Sequence, residues 1–172
     1  GGVPENFKNY FVLVFDKPFT FTAAVTNGNI RPGELESKDK HAGGIIGFST
    51  RRGETVNVRV ASSFISPEQA EQNLKELGKD NLEAVAAKGR QEWNKVLGRI
   101  EVEDDNTDHL RTFYSCLYRS VLFPRSFYEL DAKGKPVHYS PYNGKVLPGY
   151  MFTDTGFWDT FRCLFPFLNL MY

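Results

Sequence analysis

Sulfur, imidazole, excess charge of either sign and long hydrophobic runs are what this sequence has least of. The most apolar stretch, residues 157–172, is shorter than the roughly 20 residues a bilayer span needs and is interrupted by Asp159, Arg162 and Pro166. No membrane span is expected. The 21 basic residues balance 21 acidic ones, and no Lys/Arg run is long enough to leave the electrostatic footprint of a nucleic-acid or anionic-membrane binder. That excludes nucleic acid and favours a neutral partner. Cys116 and Cys163 stand alone, without a second Cys or a His at metal-ligand spacing, and are expected as two buried thiols. His41, His109 and His138 are scattered without an i, i+4 pair, which argues against a local histidine metal site. The opening Gly1-Gly2-Val3-Pro4 carries no Met, basic region or apolar stretch, so any export signal is expected to have been removed or to lie elsewhere.

What the chain has is apolar and aromatic bulk, at 41% and 15% of its 172 residues, enough for a globular core. Rings in this number suit stacking against sugars and suit an aromatic core equally well. Residues 10–15 and 19–25 are rich in β-branched and aromatic side chains and flank Asp16-Lys17-Pro18, turn chemistry that predicts a hairpin. Residues 43–48 and 54–61 repeat the pattern, with Val56, Val58 and Val60 alternating against Asn57 and Arg59 as if one face were buried and the other wet. Four short antiparallel strands suggest part of a sandwich.

The character changes at Ser66-Pro67-Glu68-Gln69, where Ser66 suits a cap, Pro67 the first helical position and Gln69 the return bond of a capping box. A helix is expected to about Leu77, stopped by Gly78. A second follows Asp80 with Leu82, Val85, Ala86, Gly89, Trp93, Val96 and Leu97 on one stripe, ending at Gly98. Ile100 and Val102 alternate with charged neighbours as a short strand, and Leu110, Phe113, Tyr114, Leu117 and Val121 mark a third helix before Pro124. Residues 125–151, aromatic and punctuated by Gly and Pro, read as a long loop of the kind that is usually functional. A helix starting near Thr155 would show large apolar residues all round, from Phe157 to Met171. At about 25 cal/mol per Å² its exposure would cost many kcal/mol, so the chain is expected to be incomplete or covered by another chain.

The strings Val58-Arg59-Val60-Ala61-Ser62-Ser63-Phe64-Ile65-Ser66, Phe113-Tyr114-Ser115-Cys116-Leu117-Tyr118-Arg119-Ser120 and Tyr139-Ser140-Pro141-Tyr142-Asn143-Gly144 carry a family likeness. So does Phe152-Thr153-Asp154-Thr155-Gly156-Phe157-Trp158-Asp159-Thr160-Phe161-Arg162. Together they resemble the calcium-dependent exo-α-mannosidases of glycoside hydrolase family 92, α-1,2-mannosidase-like, over nearly the whole chain from about Tyr10. The resemblance implies a mixed fold, β then α. Residues 1–66 would be the end of an antiparallel N-terminal β-sandwich, 67–98 a helical linker and 99–172 the truncated start of an (α/α)6 barrel. It also implies removal of terminal α-linked mannose from glycans with inversion, which needs a general acid and a base roughly 6.5 to 9.5 Å apart. No catalytic residue and no metal ligand is assigned within this chain. Acid, base and Ca2+ ligands are expected beyond Tyr172, so these residues alone are expected to be inactive. The partners are then a mannose-containing glycan and the rest of the catalytic domain, in a secreted, periplasmic or cell-surface bacterial protein.

Four residues are candidates for substrate binding. Trp158, Asp159 and Arg162 stand three and four apart and on a helix would share one edge. An indole supports a pyranose face, while carboxylate and guanidinium groups recognise vicinal hydroxyls. Without the resemblance, Asp159 reads as complementing a helix dipole with Arg162 as an i, i+3 partner; with it, sugar contact is favoured. Asp154 suits an N-cap better than a sugar ligand. Glu129 and Asp131 beside Lys133-Gly134-Lys135 read as a solvated turn, and Asp104, Asp105 and Asp108 as helix capping, since they lack the Gly and Glu of an EF-hand loop. The rival function is a non-catalytic carbohydrate-binding or structural β-sandwich module, against which the apolar terminal helix argues.

Overall fold

The computed structural model describes residues 4–172; residues 1–3, part of the opening in which no export signal is expected, lie outside them. The chain forms two compact units, Phe11–Ala61 and the combination of Gly1–Tyr10 with Ser62–Tyr172. Among the described residues five strands come first, three α-helices follow, and five short strands precede two last helices, with antiparallel pairing in the three-stranded sheets.

In the first unit, β2 (Phe21–Thr26) is the middle strand, flanked by β3 (Asn29–Pro32) and β4 (Ala42–Gly47). Ala23 faces Pro32 on one side and Ile45 on the other, and Ala23 and Ala24 are the buried residues of the strand. Sequence reading missed β3, although its signal was present. Asn27 and Gly28 have φ of 50° and 80°, the left-handed pair that a two-residue hairpin turn requires and that Asn-Gly supplies. The hairpin expected across Asp16-Lys17-Pro18 does not form. Instead β1 (Tyr10–Phe15) lies beside β5 (Val58–Ser63). Asn57 is the reason: its carbonyl accepts from Asp16 N–H at 3.1 Å, while its own N–H and side-chain amide donate to the Asp16 carboxylate at 2.9 and 2.6 Å. Nor is the valine face buried. Val58 and Val60 are 49% and 53% exposed, because among the described residues no second layer covers that side.

In the second unit, α1 (Pro67–Leu74) begins as its sequence predicts, with Ser66 Oγ accepting from Gln69 N–H at 3.1 Å and Pro67 at the first position. A 3₁₀ turn, Lys75–Leu77, ends at Gly78 with φ 54°. The return bond of the capping box is not made. The Gln69 amide donates instead to Asn73 Oδ1 at 2.9 Å and to the Leu130 carbonyl at 2.8 Å. Glu129 is half-buried rather than solvated: its carboxylate accepts from Phe64 N–H at 2.8 Å and from the Asn73 amide at 2.7 Å. Asn73 also donates to the Ser62 carbonyl at 2.9 Å. One carboxylate and one amide thus tie the end of β5, the face of α1 and β7 (Glu129–Leu130) together.

Helix α2 (Leu82–Leu97) is capped by Asn81 and ends at Gly98. Its apolar stripe is largely open, with Leu82 74% exposed, although Trp93 packs on Tyr118 at 4.6 Å between centroids. The Ile100–Val102 strand does not form; the Ile100 carbonyl accepts the Tyr114 hydroxyl at 3.1 Å. Helix α3 (Thr107–Ser120) is capped by Asn106, not by an aspartate. Asp104 meets Asn106 N–H at 2.6 Å and His109 at 3.0 Å, and Asp108 pairs with Arg111 at 2.9 Å. Both cysteines are exposed and free, correcting the expectation of buried thiols.

Residues 125–151 are folded rather than a loop. β7, β8 (Pro136–Ser140) and β9 (Lys145–Pro148) form a meander, and β6 (Arg125–Ser126) pairs with β10 (Phe152–Thr153). The single terminal helix is in fact two, α4 (Phe157–Thr160) and α5 (Leu164–Met171). Pro166 explains the break, because in one continuous helix its ring would collide with the Arg162 carbonyl four residues earlier. No described helix is long and apolar enough to cross a membrane.

Candidate functional site

The short β6–β10 ribbon aims the chain at α4. Its register puts Thr153 opposite Arg125 and Phe152 opposite Ser126, so the residue after β10 falls within reach of the Arg125 guanidinium. That residue is Asp154, and its carboxylate is ion-paired with Arg125. Asp154 has φ 68°, a left-handed conformation that Asp tolerates better than most residues. It is therefore the bend between strand and helix rather than the cap. Gly156 occupies the N-cap of α4 without a side-chain bond, which corrects the capping role expected of Asp154.

Trp158 and Asp159 lie on α4, and Arg162 in the turn that follows it. Trp158 is 83% exposed and Phe157 71%. Asp159 and Arg162 are exposed as well and make no ion pair with each other, so the i, i+3 partnership is absent. Helix α4 ends at Thr160, and the Arg162 guanidinium lies over the Phe161 ring at 5.1 Å. Asp154 is the member drawn away from the group, by Arg125. What remains is an indole, a carboxylate and a guanidinium within five residues, all three exposed. Such groups can offer an apolar platform and charge-assisted hydrogen bonds to a polyhydroxylated ring. Just before α4 the Thr155 hydroxyl is buried with no partner among the described residues.

Among the described residues no group of three or more His, Cys, Asp or Glu side chains is arranged to hold a metal ion, and Asp104 and Asp108 are engaged as described above.

Two family models match the chain. The glycosyl hydrolase family 92 N-terminal domain covers residues 1–63 and the family 92 catalytic domain covers residues 69–172. The chain belongs to glycosyl hydrolase family 92. Among solved structures it is similar to the family GH92 inverting mannosidase BT2199 from Bacteroides thetaiotaomicron, at 45% identity and a TM-score of 0.91, covering 98% of this chain and 23% of that one. It is also similar to the family GH92 α-mannosidase BT3965 from the same organism, at 27% identity and a TM-score of 0.73, over 92% of this chain and 22% of that one. The chain thus spans less than a quarter of the length of these family 92 relatives. The family 92 hydrolase ccman5, at 22% identity and a TM-score of 0.74, shares the fold. Comparison with curated proteins gave no match. In this family 92 chain, sequence reading had passed over Arg125, whose signal is only its cross-strand position, and Gly156, whose signal is the absence of a side chain.

Proposed function

We propose that this chain belongs to an α-mannosidase that removes terminal α-linked mannose from glycans with inversion, acting through an α-1,2-preferring site. The observation that carries the reading is the exposure of Trp158, Asp159 and Arg162 within the stretch matched by the family 92 catalytic model. The 45% identity with an inverting mannosidase supports it. In this reading Trp158 supports the apolar face of the mannose ring, Asp159 accepts hydrogen bonds from its hydroxyls, and Arg162 donates to them. Asp154, held by Arg125, contributes by aiming α4.

The remaining parts of the proposal rest on the resemblance and on the fraction of the relatives' length that the chain spans. Residues 99–172 begin an (α/α)6 barrel. General acid, base and calcium ligands come from residues beyond Tyr172, and residues 1–172 alone are inactive. The enzyme is exported to the periplasm or cell surface.

The test is hydrolysis of an aryl α-mannoside by the protein carrying the whole catalytic domain, with the first-formed sugar observed by NMR. Inversion releases the β-anomer, so first release of α-mannose overturns the mechanism. Persistence of full activity in a chelator overturns the calcium requirement. Mannose binding without hydrolysis would favour the carbohydrate-binding module.

A further inference from the structure

Gly156 sits three residues before Asp159 with φ −84° and ψ 104°. Those are extended values that any L-residue adopts, so the backbone does not call for glycine. The surroundings do. A Cβ at this position would meet Asp159 Oδ2 at 3.0 Å and Cγ at 3.9 Å, the first distance being closer than carbon and oxygen ordinarily pack. The contrast with Gly98 is informative, because a Cβ there would strike the Asn94 backbone oxygen at 2.7 Å and the helix itself would have to move. At Gly156 the obstacle is the tip of a flexible side chain.

The backbone around it is tethered. Thr160 Oγ1 donates to the Gly156 carbonyl at 2.7 Å, and Phe161 N–H donates to the Phe157 carbonyl at 3.0 Å. On the other side Asp154 is held by Arg125. With both flanks fixed, a methyl group on residue 156 would be accommodated by turning the Asp159 carboxylate away. We propose that Gly156 is a positioning residue for Asp159: its missing side chain is the space in which that carboxylate rests against the start of α4. The proposal rests on Asp159 being a sugar contact. Sites of this kind lose function on displacements well below the size of a methyl group, and a misplacement of about 1 Å can cost on the order of 100-fold.

The experiment is a double-mutant cycle in the protein carrying the whole catalytic domain. Gly156→Ala, Asp159→Asn and the pair are compared by kcat and KM on an aryl α-mannoside and by melting temperature. The expected result is a loss of roughly 10-fold or more in kcat/KM for Gly156→Ala, an unchanged melting temperature, and a double variant no worse than Asp159→Asn alone. Losses that multiply in the double variant overturn the proposal, since the methyl group would then act on something other than Asp159. So does a melting temperature well below the parent's, which would place the clash against backbone. Wild-type kinetics in Gly156→Ala with impaired Asp159→Asn overturns the positioning role and leaves the sugar-contact reading standing. Wild-type kinetics in Asp159→Asn removes both.

Discussion

The start of α1 and the start of α4 treat their polar side chains in opposite ways. Around α1, Ser66, Gln69, Asn73 and Glu129 are turned inward, and their bonds go to one another and to the backbone of Ser62, Phe64, Gln69 and Leu130. Around α4 the cap is a glycine without a side-chain bond, and Asp159 and Arg162 are exposed with no ion pair between them. Polar groups that close on each other make a joint. Groups left open in a folded, glycine-capped segment are available to a ligand, and at that point the family assignment and the geometry bear on the same residues.

The comparison breaks first at Asp159. Asp159→Asn keeps shape but weakens charge-assisted bonds, each worth about 1.5–3 kcal/mol, and is expected to lower kcat/KM by roughly 10- to 100-fold in the protein carrying the whole catalytic domain, with an unmoved melting temperature. If Asp159 only complements a helix dipole, turnover stays intact and about 0.3–1 kcal/mol of stability is lost instead. Glu129→Ala should do the reverse. It leaves Phe64 N–H and the Asn73 amide without their acceptor, so urea unfolding should show a loss of about 1–3 kcal/mol, with the kinetics of the folded protein unchanged. Unchanged stability would mean that water replaces the carboxylate and that the joint is not one. Ser66→Ala sharpens the same side at lower cost, about 1 kcal/mol through loss of the cap, measured in the same denaturation series.

The smallest effect concerns acid. The Asp131 carboxyl is held below its ordinary value, first by Lys135 N–H and then by Lys133 N–H, and Asp16 by the side chain and backbone of Asn57. Because the folded-state values are depressed, the stabilisation is present above the unfolded pKa of about 4 and is lost as pH falls through the lower folded value. Asp131→Asn should therefore flatten the acid limb of a stability-versus-pH curve slightly and leave the neutral region almost unchanged. A steeper acid limb in the variant would contradict the assignment.

Local signals in the sequence were legible where one residue decides the outcome. Ser66 capped and Gly78 and Gly98 terminated as expected, because caps and left-handed or terminal glycines act over one turn. Pairing partners were not legible. Asp16-Lys17-Pro18 has the composition of a tight turn, yet Asn57, 41 residues away, takes up the Asp16 bonds, and nothing in the local pattern reports a partner at that distance. The meander of residues 129–148 was hidden because its strands are short and its turn residues, Gly134 and Gly144, look like those of a loop. Burial was the least legible, since the valines of β5 and the stripe of α2 carry the correct periodicity but meet no covering layer among the described residues. At the candidate site, the sequence offered Trp158, Asp159 and Arg162 as one helical edge. It did not show that Pro166 divides the helix, or that Arg125 claims Asp154.

The clasp between Asp16 and Asn57 also bears on alignment within the sheet of β1 and β5. It sits where β1 finishes and β5 starts, and it uses both backbone and side-chain atoms of Asn57. A slide of one residue would remove all three bonds together and, since side chains alternate across a strand, exchange the two faces of β1, turning Phe11 and Leu13 to the side now held by Tyr10 and Val12. Two strands with little burial to choose between their faces would otherwise be free to shift; an aspartate and an asparagine act as the stop.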